Sequence, residues 1–232
     1  MIAIIPARGG SKGLPGKNIK ELAGYPLIYY TIKAAKEANS IDRIIVSTDD
    51  KKIADIASNF GAEIPFLRPE ELAADHSKAI DNYIYTVDRL NQTRTIAIDE
   101  FIVLQPTSPL RTSKDIDNAI ELFYKMKAET VISVVKAEHP PTWYKKISPD
   151  GILIDYYTSV DNSQNRQEEE VTFLPNGAIF VFNFNALKKN CGYYNSKTYP
   201  YVMPQENSVD IDTPIDFQLA ELLLKSKRNE LI

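Results

Sequence analysis

The sequence predicts an α/β fold of the Rossmann-like kind, a mostly parallel sheet with helices on both faces. Three observations carry that prediction. Short apolar or β-branched runs alternate with amphipathic stretches of about ten to fifteen residues, as in right-handed βαβ units. The first run, Ile2 to Ile5, feeds directly into a basic loop holding four glycines, Gly9, Gly10, Gly13 and Gly16. Polar clusters then follow the later runs, at the place where such sheets bind ligands, beyond the carboxyl ends of the strands.

Taken in order, Ile28, Ile32 and Ala35 recur at helical spacing and predict a helix from about Pro26 to Ala38. Ile44 to Thr48 is a β-branched strand ending in Asp49-Asp50. Lys51 to Phe60 is a helix by Ile53, Ala57 and Phe60, with Asp49 or Asp50 as N-cap and Gly61 past its end. Ile64 to Leu67 reads as a short strand before Arg68. Ile80, Tyr83, Ile84 and Val87 mark a third helix, Phe101 to Leu104 a buried strand, and Ile116, Ile120 and Phe123 a fourth helix ahead of the strand Thr130 to Val135. Beyond Ala137 the pattern changes: Trp143 to Ile147 and Ile152 to Tyr156 alternate around Pro149-Asp150-Gly151, which is hairpin turn chemistry. This segment, with the polar stretch Ser159 to Glu170, reads as an inserted flap over about 140–172, its exposed aromatics suited to a second copy of the chain. Gly177 to Phe182 returns to a core strand, and Val209 to Thr213 leads into a last helix.

Composition sets the limits. With 232 residues, 44% hydrophobic and 25% charged, one large core and a single domain over 1–232 are expected. A net charge of −4 argues against a general nucleic-acid binder, which needs a cationic face. No apolar run approaches the roughly 18 residues of a membrane span, and the N-terminus lacks a leader's basic region, so the expectation is a cytoplasmic protein without a membrane partner. Cys191 is the lone cysteine and cannot form an internal disulfide; with no nearby histidine it reads as a bland or buried thiol. His76 and His139 lie in polar, loop-like surroundings and read as surface groups rather than bases.

Two motifs carry chemistry. In the opening loop, glycines let backbone N–H groups approach a ligand closely while Arg8, Lys12 and Lys17 supply positive charge, which suits a polyphosphate. It is not a Walker loop, because Gly16-Lys17 is followed by Asn18, and no dinucleotide fingerprint occurs. Near the other end stands Ser208-Val-Asp210-Ile-Asp212-Thr213-Pro214. If Val209 to Asp212 is extended, Asp210 and Asp212 share a face and can hold a divalent cation such as Mg²⁺ against phosphates. The bland reading is that Asp212 or Thr213 caps the last helix, which leaves Asp210 unexplained.

Ile5-Pro-Ala-Arg-Gly-Gly-Ser-Lys-Gly-Leu-Pro-Gly-Lys-Asn18, Arg68-Pro-Glu-Glu-Leu-Ala73, Leu104-Gln-Pro-Thr-Ser-Pro-Leu-Arg111, Pro175-Asn-Gly-Ala-Ile179 and Val209-Asp-Ile-Asp212, in that order, resemble the CMP-sialic acid synthetases, the N-acylneuraminate cytidylyltransferases. The resemblance runs from Ile2 to about Glu221. It implies transfer of CMP from CTP to the anomeric hydroxyl of a nonulosonic acid, with release of pyrophosphate and Mg²⁺ as the only cofactor. By the same resemblance Arg8, Lys12 and Lys17 would act on the triphosphate, with Ala7, Gly9 and Ser11 in the nucleotide loop. Asn18, Arg68 and Ser77 would contact the cytidine moiety. Gln105, Thr107 and Ser108 would meet the sugar hydroxyls, Arg111 would support their loop, and Asp210 and Asp212 would bind the metal. The family is homodimeric, with one subunit's flap closing over the other's sugar site; Arg166 resembles its arginine near the sugar, and Tyr193-Tyr194 an aromatic pair lining the acyl pocket. Leu174 stands where some members have arginine, so legionaminic and pseudaminic acids are as compatible as N-acetylneuraminic acid. The alternatives are a KDO cytidylyltransferase, a nucleotidyltransferase acting on a sugar 1-phosphate, and an inactive sugar-nucleotide sensor; the last would be expected to lose Asp210, Asp212 or the loop cations, all of which are present.

Overall fold

The structure, a computed structural model, describes residues 1–10, 13–73, 77–92, 97–157 and 171–229. Strands are β1 (Ile2–Pro6), β2 (Glu21–Leu22), β3 (Tyr25–Pro26), β4 (Arg43–Ser47), β5 (Glu100–Leu104), β6 (Thr130–Lys136), β7 (Lys145–Ile147), β8 (Leu153–Asp155), β9 (Phe173–Asn183) and β10 (Thr198–Val202). Helices are α1 (Leu27–Glu37), α2 (Lys51–Asn59), α3 (Ala79–Asn91), α4 (Ser113–Lys125), α5 (Phe184–Asn190) and α6 (Pro214–Asn229).

Six strands form the main sheet in the order β10-β6-β9-β5-β1-β4. β4, β1 and β5 run parallel, as do β10 and β6, while β9 lies antiparallel between β5 and β6. The period of two along the strands sorts their side chains onto two faces. Ala3, Ile5, Ile44, Val46, Ile102 and Leu104 pack with Ile28 and Ile32 of α1, Ile53 of α2 and Ile116 and Ile120 of α4. Ile4, Ile45, Phe101 and Val103 face the other way, against Tyr83 and Val87 of α3 and Phe184 and Leu187 of α5. A third cluster joins distant stretches: Leu14 of the glycine loop, Leu22 and Leu27 pack with Ile211, Phe217 and Ala220. This apolar contact docks the start of α6 beside the opening loop.

Two expected strands are absent. Ile64 to Leu67 forms no strand: pairing stops at an isolated bridge one residue earlier, Glu63 to Ile45, and Pro65 has no N–H to extend the ladder. Val209 to Asp212 belongs to no sheet: Ile211 N–H donates to Thr107 O at 2.9 Å, and Asp212 N–H is taken by the Asp216 carboxylate at 3.1 Å. The inward and outward alternation nevertheless holds, with Ile211 fully buried and Asp210 and Asp212 exposed. The capping question is also settled by geometry. Thr213 is the cap: its hydroxyl accepts from Asp216 N–H at 3.3 Å and its own N–H donates to Asp216 Oδ2 at 2.7 Å, a reciprocal capping box in which the Asp212 side chain takes no part. Asp50, rather than Asp49, caps α2, accepting from Lys52 and Ile53 N–H.

β10 and α5 have no counterpart in the sequence reading; Pro200 inside β10 is tolerated because β10 is an edge strand. The hairpin forms, but with only three residues in each strand, around a turn in which Gly151 takes φ +81 and donates to Ser148 O at 2.9 Å. No helix among the described residues is long and apolar enough to cross a membrane.

Candidate active site

A cleft of about 480 Å³ opens at the carboxyl ends of β1, β4 and β5. Arg8, Lys17, Asn18, Arg68 and Ser77 line it, as do Gln105, Thr107 and Asp212. Residues nearly two hundred positions apart in sequence therefore share one cavity. Ser11, Lys12 and Arg166 lie outside the described residues.

The glycine loop is held from beneath. Ala7 is buried, and its N–H donates to Ser47 O at 3.0 Å. Gly9 N–H donates to Asp49 Oδ1 at 3.3 Å, and a Cβ on Gly9 would stand 2.7 Å from Asp50 Oδ2, so no side chain fits there. Asn18 is buried and donates from Nδ2 to Arg8 O at 2.9 Å, tying the loop's end to its beginning. Arg68 pairs with the same Asp49 oxygen at 3.3 Å. Burial pulls the Arg68 guanidinium's pKa down and Asp49 opposes the shift; the group stays cationic at neutral pH, and its buried Nε has no protein partner. Ser77 Oγ donates to Glu71 O, and Arg8 reaches Ala73 O at 3.5 Å, so both are tied to the segment that follows Arg68.

Gln105 and Asp210 converge beside Gly177. A Cβ at Gly177 would lie 3.1 Å from Gln105 Oε1 and 3.5 Å from Asp210 Oδ2, and the φ of +72 is what favours glycine here. The preceding Asn176 fixes this corner: its Oδ1 accepts from Ser133 Oγ at 2.6 Å and its Nδ2 donates to Ser208 Oγ at 3.0 Å, linking β6, β9 and the aspartate loop. Arg111 braces the same corner from below, donating to Gln105 O at 3.1 Å and Ala178 O at 2.9 Å. Full burial lowers its pKa to about 9, which still leaves it charged at neutral pH.

The Asp210 residue is exposed as a whole, yet desolvation of its carboxyl pushes the pKa up; the Thr107 hydroxyl is the largest opposing influence, Asp212 and Asp216 add to the rise by repulsion, and Lys17 counters it. The Thr107 hydroxyl is buried without a well-formed hydrogen bond of its own. Lys17 Nζ donates to Ile211 O at 2.6 Å and to Asp212 Oδ1 at 3.1 Å, joining the two motifs directly. Asp210 and Asp212 are hard oxygen donors close enough to repel each other, which fits a cation that takes its remaining ligands from phosphates and water. Among the described residues there is no cluster of three or more metal-type side chains.

Other predicted residues fall elsewhere. Ser108 is fully buried, does not line the cleft, and its Oγ has no hydrogen-bond partner among the described residues. Tyr193 is half-buried against Phe180 and Phe182, whereas Tyr194 is 65% exposed. His139 stacks on Trp143 at the hairpin's root, away from the cleft, and His76 lies outside the described residues. Cys191 is exposed rather than buried. Tyr83 was read only as helix core, and it does pack on Phe182; but it also lines the cleft, and its hydroxyl interacts with Gln105 and Tyr193. A tyrosine at a core position of an otherwise aliphatic stripe was the one available signal, since a buried hydroxyl seeks a partner.

A glycine-rich cationic loop, a buried arginine and two carboxylates, all beyond the strand ends of an α/β sheet, define a nucleotidyltransferase-like site. The chain belongs to the cytidylyltransferase family, whose sequence model matches residues 2–231. It is 38% identical to the CMP-N,N'-diacetyllegionaminic acid synthase of Legionella pneumophila over all of this chain and 99% of that one. It is 36% identical to the N-acylneuraminate cytidylyltransferase of Streptococcus agalactiae serotype V, over 93% of this chain and 51% of that protein, so it spans about half that relative's length. The solved structure of a CMP:2-keto-3-deoxy-manno-octonic acid synthetase complexed with CTP superposes with a TM-score of 0.71 at 17% identity, over 97% of this chain and 98% of that one, a likeness of fold.

Proposed function

We propose that this cytidylyltransferase transfers CMP from CTP to the anomeric hydroxyl of a nonulosonic acid and releases pyrophosphate. The observation that carries the reading is the convergence of Arg8, Lys17, Arg68, Gln105 and Asp212 on one cleft, in a chain matched end to end by a CMP-N,N'-diacetyllegionaminic acid synthase. In the reaction the sugar hydroxyl oxygen attacks the α-phosphorus, the bond to the bridging oxygen breaks, and pyrophosphate departs with the electron pair. Arg8, with Lys12 and Lys17, offsets the charge that grows on that leaving group; preorganised cations of this kind act most strongly where charge develops. Asn18, Arg68 and Ser77 orient the cytidine end. Gln105 and Thr107 face the acceptor, with Arg111 and Gly177 fixing the position of Gln105. Asp210 and Asp212 would hold Mg²⁺, which when bound supplies charge to the phosphates and lowers the pKa of a coordinated hydroxyl.

The hairpin supports a homodimer. Ile147 is 74% exposed, Leu153 68% and Ile152 61%, an apolar surface of the kind that marks contact with a partner. Pyrophosphate release with CTP, Mg²⁺ and a panel of N,N'-diacetyllegionaminic, pseudaminic, N-acetylneuraminic and KDO acids tests the proposal. Turnover is expected with at least one of the nine-carbon acids. Turnover with KDO alone, or with none of the panel, would reject it.

A further inference from the structure

Lys17 stands in an unexpected position for a residue meant to hold phosphates. Its stem is buried, only 13% of the side chain being exposed, and it begins a short 3-10 turn, Lys17–Ile19, fixed by Lys17 N–H to Leu14 O at 3.0 Å. Two of the three donors of its ammonium are used within the protein, on Ile211 O and Asp212 Oδ1. The Asp212 main chain cannot move away easily: its N–H is held by Asp216, and its carbonyl oxygen lies 2.8 Å from where a Gly13 Cβ would be. The Asp212 carboxylate, in contrast, is 77% exposed and has Lys17 as its ion-pair partner.

We infer that Lys17 is a place-holding counter-ion which occupies the Asp212 carboxylate in the nucleotide-free protein and thereby couples divalent-cation binding to nucleotide binding. The inference rests on the proposed CTP site and adds to it an order of events. In the free protein the ammonium cancels one of the two negative charges that a cation would seek. It also repels a cation at close range, in a cleft where the effective dielectric is well below that of water. Nucleotide phosphates offer the ammonium a competing acceptor in the same cleft, so it can keep the Ile211 carbonyl and release the carboxylate. Cation and nucleotide then strengthen one another's binding by the same factor, as linkage requires.

The test uses the full chain and Mn²⁺ as the cation, with free Mn²⁺ measured by electron paramagnetic resonance, with and without CTP and in the absence of any sugar acid. Wild type is expected to bind Mn²⁺ weakly alone and more tightly with CTP. Lys17→Met should bind Mn²⁺ alone about tenfold more tightly than wild type, the scale of one nearby charge in a partly screened site, and the enhancement by CTP should shrink by the same factor. Lys17→Arg, which keeps the charge, should resemble wild type. Adding Asp212→Asn should remove the difference between Lys17→Met and wild type. Lys17→Gln, which retains a donor for the Ile211 carbonyl, replaces the methionine variant if that one does not fold. Unchanged or weaker Mn²⁺ binding in the uncharged variants would overturn the inference, as would an undiminished enhancement by CTP. The CTP-free arm tests the counter-ion role without any bound nucleotide, so failure of CTP binding with that arm intact would count against the proposed function and the coupling but not against the Lys17–Asp212 counter-ion role.

Discussion

The cleft and the hairpin are built on opposite principles. In the cleft most polar groups have a defined partner inside the chain: Gly9 and Arg68 on Asp49, Asn18 on Arg8, Asn176 on Ser133 and Ser208, Lys17 on Asp212. In the hairpin Ile147, Ile152 and Leu153 are left facing out, and β7 and β8 pair only with each other. A two-stranded hairpin of this size is marginal alone. The cleft is thus closed by contacts within the chain, whereas the hairpin leaves its apolar side chains uncovered.

Four perturbations would break or sharpen that contrast. The largest effect is expected from Asp212→Asn, which should slow pyrophosphate release by at least about a thousandfold, on the scale seen when charge stabilisation at a reacting centre is lost. CTP affinity measured without metal should hold or rise, since the Lys17 ammonium no longer has a carboxylate to leave; a variant with full activity in Mg²⁺ would remove Asp212 from the metal site. Next comes Leu153→Asp combined with Ile147→Asp. Sedimentation should report a monomer, and activity should fall roughly tenfold while the melting of the α/β core is nearly unchanged, since exposed positions contribute little to a monomer's stability. A dimer with wild-type turnover would mean that the hairpin is not the joining surface. Tyr83→Phe should be milder: the KM for the sugar acid rises by about threefold to tenfold, as expected for one lost hydrogen bond, while that for CTP stays put. Equal changes in both constants would make Tyr83 a packing residue only.

The smallest effect concerns pH. Desolvation, aided by Asp212, holds the Asp210 carboxyl above its ordinary value of 3.8. A carboxyl whose pKa is raised by folding costs stability when ionised, and this cost fades as the pH drops through the folded-state value. Asp210→Asn should therefore raise the metal-free thermal midpoint slightly at neutral pH. The gain should vanish below 3.8, where both states are protonated in the wild type. A gain that persists unchanged into acid would point to a cause other than the charge.

Much of this was legible in the sequence, and the exceptions have physical reasons. The alternation of apolar runs located β1, β4, β5, β6 and the first four helices, because each is long enough for its period to register. The Ile64 to Leu67 strand was overread because an apolar run says nothing of whether Pro65 leaves a donor for pairing. β10 went unread for the complementary reason, a proline on an edge that can tolerate it. At the site, residue type identified Arg8, Arg68, Asp210 and Asp212 as chemistry, yet the Lys17 to Asp212 pair could not be read from a sequence in which they stand 195 residues apart. Ser108 and Thr107 look equivalent in Pro-Thr-Ser-Pro; only the backbone decides that Thr107 lines the cleft and Ser108 points into the core. Thr213 was legible as a candidate cap, but its reciprocal partner Asp216 was not, because a carboxylate three residues on looks like any other charge in a helix's first turn.

The third apolar cluster has a consequence for synthesis of the protein. Leu14, Leu22 and Leu27 leave the ribosome early, but their packing partners Ile211, Phe217 and Ala220 are translated last among the described elements. Until those arrive, the early leucines have only one another and Tyr29 and Tyr30 for cover, and Lys17 lacks the Asp212 carboxylate. The nascent chain thus carries its glycine loop for most of translation without these late partners, and contacts of such sequence separation form slowly. The cleft, lined by both Lys17 and Asp212, can take its final shape only once the segment leading into α6 has been made.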